Sequence, residues 1–385
     1  MPTYVILISD KLIFIDLLLN IWYTLLKLWY TVVFLFFQEA YVMKNSNERS
    51  TYNSFAIQSF SSGQLNYSEG EKDITYHYTS PDAFLSIVQN HTIRFTDIRY
   101  LNDRSEGIYF VKLLLEFIDK NKNKYPYFEE AVNRLLKEND PDKIKNLEIT
   151  NIKYNDIPRM PYNPERVFVF CTCTEADSLN MWNYYVNNGS YQGYNIGFRI
   201  SELLKAFDTP STNQADTFIV HYGKVLYTER EHFAEIQHLA ESIERSITFH
   251  SYGSNVVEEH DILVAQMKLR NYIDSHGAFY KHPKFESEKE FRIIIEIADE
   301  RIPRTEENAK EYFGEYNQKM VEGFCTKRGL VIPFLTVTFP EKAIYRVTVA
   351  PMIEYDIAKN SVRELLSTSK IEGVKIYKST VPIRF

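Results

Sequence analysis

The chain has 385 residues, of which 44% are hydrophobic and 25% charged, with a formal net charge of -7. Those fractions describe a folded globular protein, and a mean hydropathy of -0.32 excludes a polytopic membrane protein. The acidic balance argues against duplex DNA binding through global electrostatics and leaves a local basic groove open. Aromatic residues make up 15%, with 28 Tyr and 26 Phe, and favour a sheet-rich core. Cys171, Cys173 and Cys325 are too few for a disulfide framework, and a lone C-x-C is a poor zinc site. A reducing cytoplasm fits this composition best.

Residues 12–37, LIFIDLLLNIWYTLLKLWYTVVFLFF, form the one strongly apolar run. Its length is enough to span a bilayer, but Trp22, Tyr23, Trp29 and Tyr30 sit in its middle rather than at its ends. Residues 1–42 therefore read either as a single membrane anchor or as the product of a start assigned too far upstream, with Met43 as the true first residue. Residues 43–70 are rich in Ser, Asn and Gly and read as a linker.

Ordered structure is expected from residue 71. Ile74, Tyr76 and Tyr78 alternate with Thr75, His77 and Thr79, the period of a strand. Ser80-Pro81 is an N-cap followed by proline at the first helical position, which predicts a helix to about Gln89 and a returning strand over 92–96. Helices are expected over 105–120 and 128–137, the latter inside a charged insertion near 121–165. The RVFVFCTCT run, 166–174, reads as a buried strand, followed by a short helix at 181–184 and a strand over 194–200. Further strands are expected at 217–222 and 224–227, then helices over 229–249 and 258–280. A second, helical insertion falls near 303–325. Short strands surround a helix at 357–369, with candidates at 374–377 and 381–384.

The most informative stretch is FYKHPKFESEKEFRIIIEIADE, 279–300. Phe291, Ile293, Ile295 and Ile297 alternate with a polar side carrying Glu288, Glu290, Arg292 and Glu296. Two carboxylates two residues apart on one face raise each other's pKa, and acidic residues form strands poorly. A local conflict of this kind marks a functional site. The alternative is a solvated strand edge with Lys289 and Arg292 as counter-charges. His77 shares the polar side of its strand with Thr75 and Thr79, either solvated or as a donor to a ribose or phosphate. Thr172 and Thr174 share one side of their strand, with Cys171 and Cys173 on the other. The common nucleotide-binding and hydrolase fingerprints are missing from the sequence.

Taken in order, YHYTS, RFTDIRYLNDRSE, VFVFCTCTEADSLNMWNYYVNNGSYQGYNIGF, GKVLY, FESEKEFRI and VKIYKSTVPIR resemble the bacterial family called domain of unknown function 2971, over about residues 74–385. More distantly, three blocks are similar to those of mono-ADP-ribosyltransferases: a His on the first strand, a hydroxyl-bearing second strand, and Glu-x-Glu entering a late strand. Cys-Thr-Cys-Thr stands here where such enzymes carry Ser-Thr-Ser. The resemblance implies a single α+β domain over 71–385, built on two small antiparallel sheets flanked by helices and ADP-ribosyltransferase-like in fold. It implies NAD as the cofactor, no metal, and an unknown protein or nucleic-acid acceptor, in a toxin or phage-defence effector. A membrane partner follows only if residues 12–37 are translated and inserted.

Breaking the glycosidic bond of NAD develops positive charge on the ribose, which a carboxylate stabilises. The resemblance gives that role to Glu290 and proton removal from the acceptor to Glu288. His77, Tyr78, Thr79, Thr172 and Thr174 are the implied NAD-binding residues, with Asn102, Asp103 and Glu106 as second-line candidates. Two rival readings remain open: a non-catalytic binding module, and a metal-dependent nuclease using Asp103, Glu106, Glu288 and Glu290.

Overall fold

The computed structural model describes residues 57–59, 73–101, 108–137, 165–186, 189–207, 218–250, 259–299, 302–313, 320–327 and 329–383. All lie within one compact unit, residues 54–385. The apolar run at 12–37, and Asn102, Asp103 and Glu106, fall outside them. Among the described residues, no helix is long and apolar enough to cross a membrane.

Among the described residues, eleven strands form one hydrogen-bonded network. They are β1 (Ile57–Ser59), β2 (Ile74–Thr79), β3 (Thr92–Asp97), β4 (Glu165–Cys173), β5 (Tyr194–Arg199), β6 (Phe218–Lys224), β7 (Glu290–Ala298), β8 (Val321–Lys327), β9 (Leu330–Thr338), β10 (Ile344–Val349) and β11 (Lys375–Lys378). The helices are α1 (Pro81–Asn90), α2 (Ile108–Lys120), α3 (Pro126–Lys137), α4 (Leu179–Tyr185), α5 (Ile200–Leu204), α6 (Glu229–His250), α7 (Glu259–His276), α8 (Glu306–Phe313) and α9 (Tyr355–Thr368).

The network forks at β4. On one side β4 pairs with β7 over its full length, from Glu165↔Ala298 to Cys173↔Glu290. On its other side it meets two strands in succession: β3, through Thr96↔Val169 and Asp97↔Phe168, and then β2, through Tyr76↔Cys173. One limb continues β2–β5–β10–β11 and the other β3–β9–β8, while β7 leads outward to β6 and β1. The expected two small antiparallel sheets are thus one branched sheet, with parallel pairing at β1–β6 and β10–β11. The branch is clamped by Arg166, whose guanidinium donates to Asp97 Oδ2 at 2.9 Å and to Glu322 Oε1 at 2.7 Å, tying β4 to β3 and β8.

Three cores follow from the period-2 pattern of the strands. Phe168, Phe170, Ile293 and Ile295 face one side of the sheet with Phe95 and Phe198, covered by α1, α5 and α9. Val167, Val169 and Ile294 face the other side, under α2, α3, α6 and α7. Beyond β4 on that second side, Ile74, Tyr76, Tyr78 and Cys173 pack with Met181 and Trp182 of α4.

Local signals explain most element boundaries. Ser80 caps α1 by accepting the Ala83 N–H at 3.3 Å, and His91 ends it in the left-handed region at φ 53°. Three expectations change. Residues 57–59, read as linker, add an edge strand to the sheet. The end of the expected insertion at 303–325 is β8, a strand paired with β9. Residues 381–383 form no strand.

Candidate functional site

Residues Pro283–Glu288 form a 3-10 helix, and Lys289 then takes a left-handed conformation at φ 45° before β7 starts at Glu290. Glu288 is therefore not a strand residue, as the alternation predicted. The turn brings it beside Glu290 instead. Thr174 fixes this turn from the neighbouring strand end, its N–H and hydroxyl both donating to the Lys289 carbonyl, at 2.9 and 3.3 Å.

Between the two carboxylates sits an ammonium group. Lys281 Nζ donates to Glu288 Oε2 at 2.5 Å and to Glu290 Oε1 at 2.8 Å. Arg292 Nε donates to Glu290 Oε2 at 2.5 Å, and its Nη1 to the Ala278 carbonyl at 2.5 Å. Tyr185 Oη donates to Glu288 Oε1 at 3.2 Å, and the Glu290 N–H donates to Tyr227 Oη at 3.0 Å. All four charged residues are buried: Lys281 is 4% exposed, Glu288 8%, Glu290 4% and Arg292 1%. The reading of a solvated edge is overturned, because β7 lies between β4 and β6. Lys289 is not the counter-charge either; it is exposed and lies 3.9 Å from Glu286.

This arrangement drives the two carboxyl groups apart in acidity. Burial pushes Glu288 up to about 7, reinforced by the hydrogen bond and negative charge of Glu290. Burial acts on Glu290 in the same direction, but Arg292 and Lys281 outweigh it and hold that carboxyl far below its usual range. Burial likewise raises the Tyr185 and Tyr227 hydroxyls, and pushes the Cys173 thiol up to about 12. Cys173 is therefore a neutral neighbour rather than a nucleophile.

Because Glu288 binds its proton more tightly when folded, its contribution to stability is complete below its unfolded value of 4.5 and is lost as pH rises through about 7. Glu290 acts oppositely: its contribution is present above pH 4.5 and is lost as pH falls towards its depressed folded value. Thermal melts of the wild type between pH 4.5 and 8 are expected to show stability declining across the upper part of that window. Glu288→Gln should flatten the decline, and an unchanged slope in that variant would assign it to another group.

The other implied site residues divide between the two faces of the sheet. Thr75, Thr172 and His77 lie on the face of Phe170. Glu290 and Arg292 lie on the opposite face, in register with Cys173 and Cys171. Thr172 Oγ1 donates to the Phe291 carbonyl at 2.7 Å and contacts the Thr75 hydroxyl, on the opposite face of the sheet from Glu290. The His77 ring packs 4.9 Å from Phe170, and its Nδ1 lies 3.2 Å from the Cys171 carbonyl. A carbonyl only accepts, so Nδ1 carries the hydrogen and Nε2 is left as an acceptor. Burial lowers this imidazole to about 4, so at neutral pH it is uncharged. Tyr78 is on the Glu290 side, but its hydroxyl donates to the Glu175 carbonyl and accepts the Ser178 N–H, both at 2.8 Å. Thr79 is buried at the end of β2, where its carbonyl lies against Gly193 so closely that a Cβ there would sit 2.4 Å away.

Lys281, Tyr185 and Tyr227 escaped the sequence reading. They lie in a loop, a short helix and a strand-to-helix connection, where no periodicity singles out a residue. The available signal was a lysine between apolar Phe279-Tyr280 and a proline, a few residues before two glutamates.

Residues 181–293 match the family model described as Protein of unknown function (DUF2971). Over that stretch, 113 of the 385 residues, the chain is similar to this family. The DUF2971 segment contains Tyr185, Tyr227, Lys281, Glu288, Glu290 and Arg292, the whole of the ionic cluster. His77, Thr172 and Thr174 lie outside it. No curated protein and no solved structure matches the chain.

Proposed function

We propose that this protein is an ADP-ribosyltransferase-like enzyme in which Glu288 moves the proton and Glu290 is its fixed, ionised neighbour. The observation that carries this reading is the lysine-bridged pair. One ammonium holds two carboxyl groups, and only Glu290 has both oxygens engaged by cations. This reverses the emphasis of the sequence resemblance, which made Glu290 the principal residue.

NAD, when bound, supplies the N-glycosidic bond to be broken, and nicotinamide departs with its electron pair. The chain's residues do the rest. Glu288, with a pKa near neutrality, accepts the proton of the attacking group. Tyr185 and Lys281 orient its two oxygens. Glu290 contributes negative charge close to the reacting centre from a position fixed by Arg292. His77 and Thr172 do not fit the NAD-holding role beside this pair, because they occupy the other face of the sheet. Thr174 does adjoin it, through the Lys289 carbonyl. A toxin or phage-defence role is the context in which such an activity would act.

The complete pairing of Glu290 favours a second reading, a binding module in which the cluster is structural. The nuclease reading is weakened by Lys281, whose ammonium occupies the place a metal ion would take between the carboxylates. Nicotinamide release from NAD by the purified protein, with and without cell extract, separates the first two. Glu288→Gln is expected to reduce turnover by about 10²- to 10⁴-fold while the fold persists. Absence of both turnover and calorimetric NAD binding would favour the binding module.

A further inference from the structure

On the side of the sheet that carries Glu290, α4 covers β2, and beyond it the end of β5 with β10 and β11 presents a cationic and aromatic surface. The register runs in one row from Glu290 through Cys173, Tyr76, Gly197 and Arg346 to Lys375. A register shift in β10 between Ile344 and Arg346 turns two successive residues, Tyr345 and Arg346, onto this face. Gly197 makes room for the arginine: a Cβ there would lie 2.5 Å from Arg346 Cγ.

The Arg346 guanidinium lies 3.9 Å from the centroid of Tyr377 and 5.7 Å from that of Tyr76. Nη2 donates to Thr348 Oγ1 at 3.3 Å, while Nε is buried without a hydrogen-bond partner among the described residues. Two further cations flank the Tyr345 ring, Arg199 at 4.6 Å and Lys375 at 5.0 Å from its centroid. Arg346 and Lys375 stand opposite one another on neighbouring strands, where like charges repel. An arginine held in this way, stacked on a tyrosine and without an ion pair among the described residues, is arranged for an anion from outside the chain.

We propose that the outer face of β5, β10 and β11, centred on Arg346, binds single-stranded nucleic acid. The cations would meet phosphates. The Tyr377 ring, on a residue 38% exposed, would meet an unpaired base. A duplex keeps its base faces covered and cannot use the ring. The overall charge of -7 confines the attraction to this face. The proposal goes beyond the transferase reading and stands without it. Arg346 is four strands from Glu290, about 19 Å at the usual strand spacing, and α4 covers Tyr76 and Cys173 between them, so binding at this face does not depend on contact with the carboxylate pair.

The test is fluorescence anisotropy of the full-length protein with fluorescein-labelled single-stranded DNA and RNA of about 12 nucleotides. A duplex serves as control and inorganic phosphate as competitor. Single strands are expected to bind more tightly than the duplex. Lys375→Gln and Tyr377→Ala, both at exposed positions, are expected to weaken binding about tenfold. Arg346→Gln is expected to lower the salt dependence by about one phosphate contact. Unchanged affinity in these variants, or full displacement by inorganic phosphate, would overturn the proposal. Oligonucleotide binding without NAD consumption would keep the surface and remove the transferase reading. NAD consumption without oligonucleotide binding would do the reverse.

Discussion

Lys281→Met is expected to destabilise the domain by about 3–5 kcal/mol at pH 8, the usual cost of removing one partner from a buried ionic group. Methionine keeps much of the volume and loses the charge. Glu290 retains Arg292, but Glu288 is left beside an ionised carboxylate with only the Tyr185 hydroxyl for support. Glu288 then escapes by holding its proton to still higher pH, so the loss should shrink towards pH 5. Adding Glu288→Gln to Lys281→Met should recover part of it, because the second substitution removes the uncompensated charge. Urea denaturation of the three variants at pH 5 and pH 8 measures this. A loss below about 1 kcal/mol at pH 8 would show that water screens the cluster despite its burial.

Trp182→Ala is expected to cost about 3–5 kcal/mol, in the range of buried tryptophan truncations. The indole is fully buried, meets Tyr78 edge-on with centroids 4.7 Å apart, and donates its N–H to Asp177 Oδ1 at 2.7 Å. Asp177 in turn accepts from the Ser379 hydroxyl and the Thr380 N–H, both at 2.6 Å, so the indole also braces the segment after β11. Helix α4 carries Tyr185 one turn further on. Losing its anchor should therefore loosen the contact with Glu288 as well as lower stability. Calorimetry reads the first effect. A change in the pH dependence of stability relative to wild type reads the second, and melting at the wild-type temperature would refute both.

Much of this was legible in the sequence. The alternation over 74–79 and 291–297 located β2 and β7, Ser80-Pro81 located the start of α1, and the Glu-x-Glu stretch pointed to the charged cluster. Period-2 reading also placed His77 with Thr75 and Thr79 on one side of β2. It could not show that this side faces Phe170 and the main core. Alternation gives the face of a strand, whereas burial depends on what the rest of the chain lays over it. Glu288 was assigned to the strand because the pattern assumes extended backbone through Lys289, and the left-handed turn there breaks it. The branching of the sheet was invisible for a related reason: β4 shares one edge between β3 and β2, and no local pattern records which strands are neighbours.

That branching also bears on how the protein is made. Thr75 meets Thr172 across 97 residues, Thr172 meets Phe291 across 119, and Arg166 meets Glu322 across 156. Connections this distant make assembly slow compared with folds built from adjacent elements. During synthesis β4, with its Val-Phe-Val-Phe run, emerges long before β7 can cover it, leaving an aggregation-prone edge that calls for chaperone protection. The carboxylate pair likewise waits on β7: Glu290 emerges 117 residues after Cys173, its partner across the sheet.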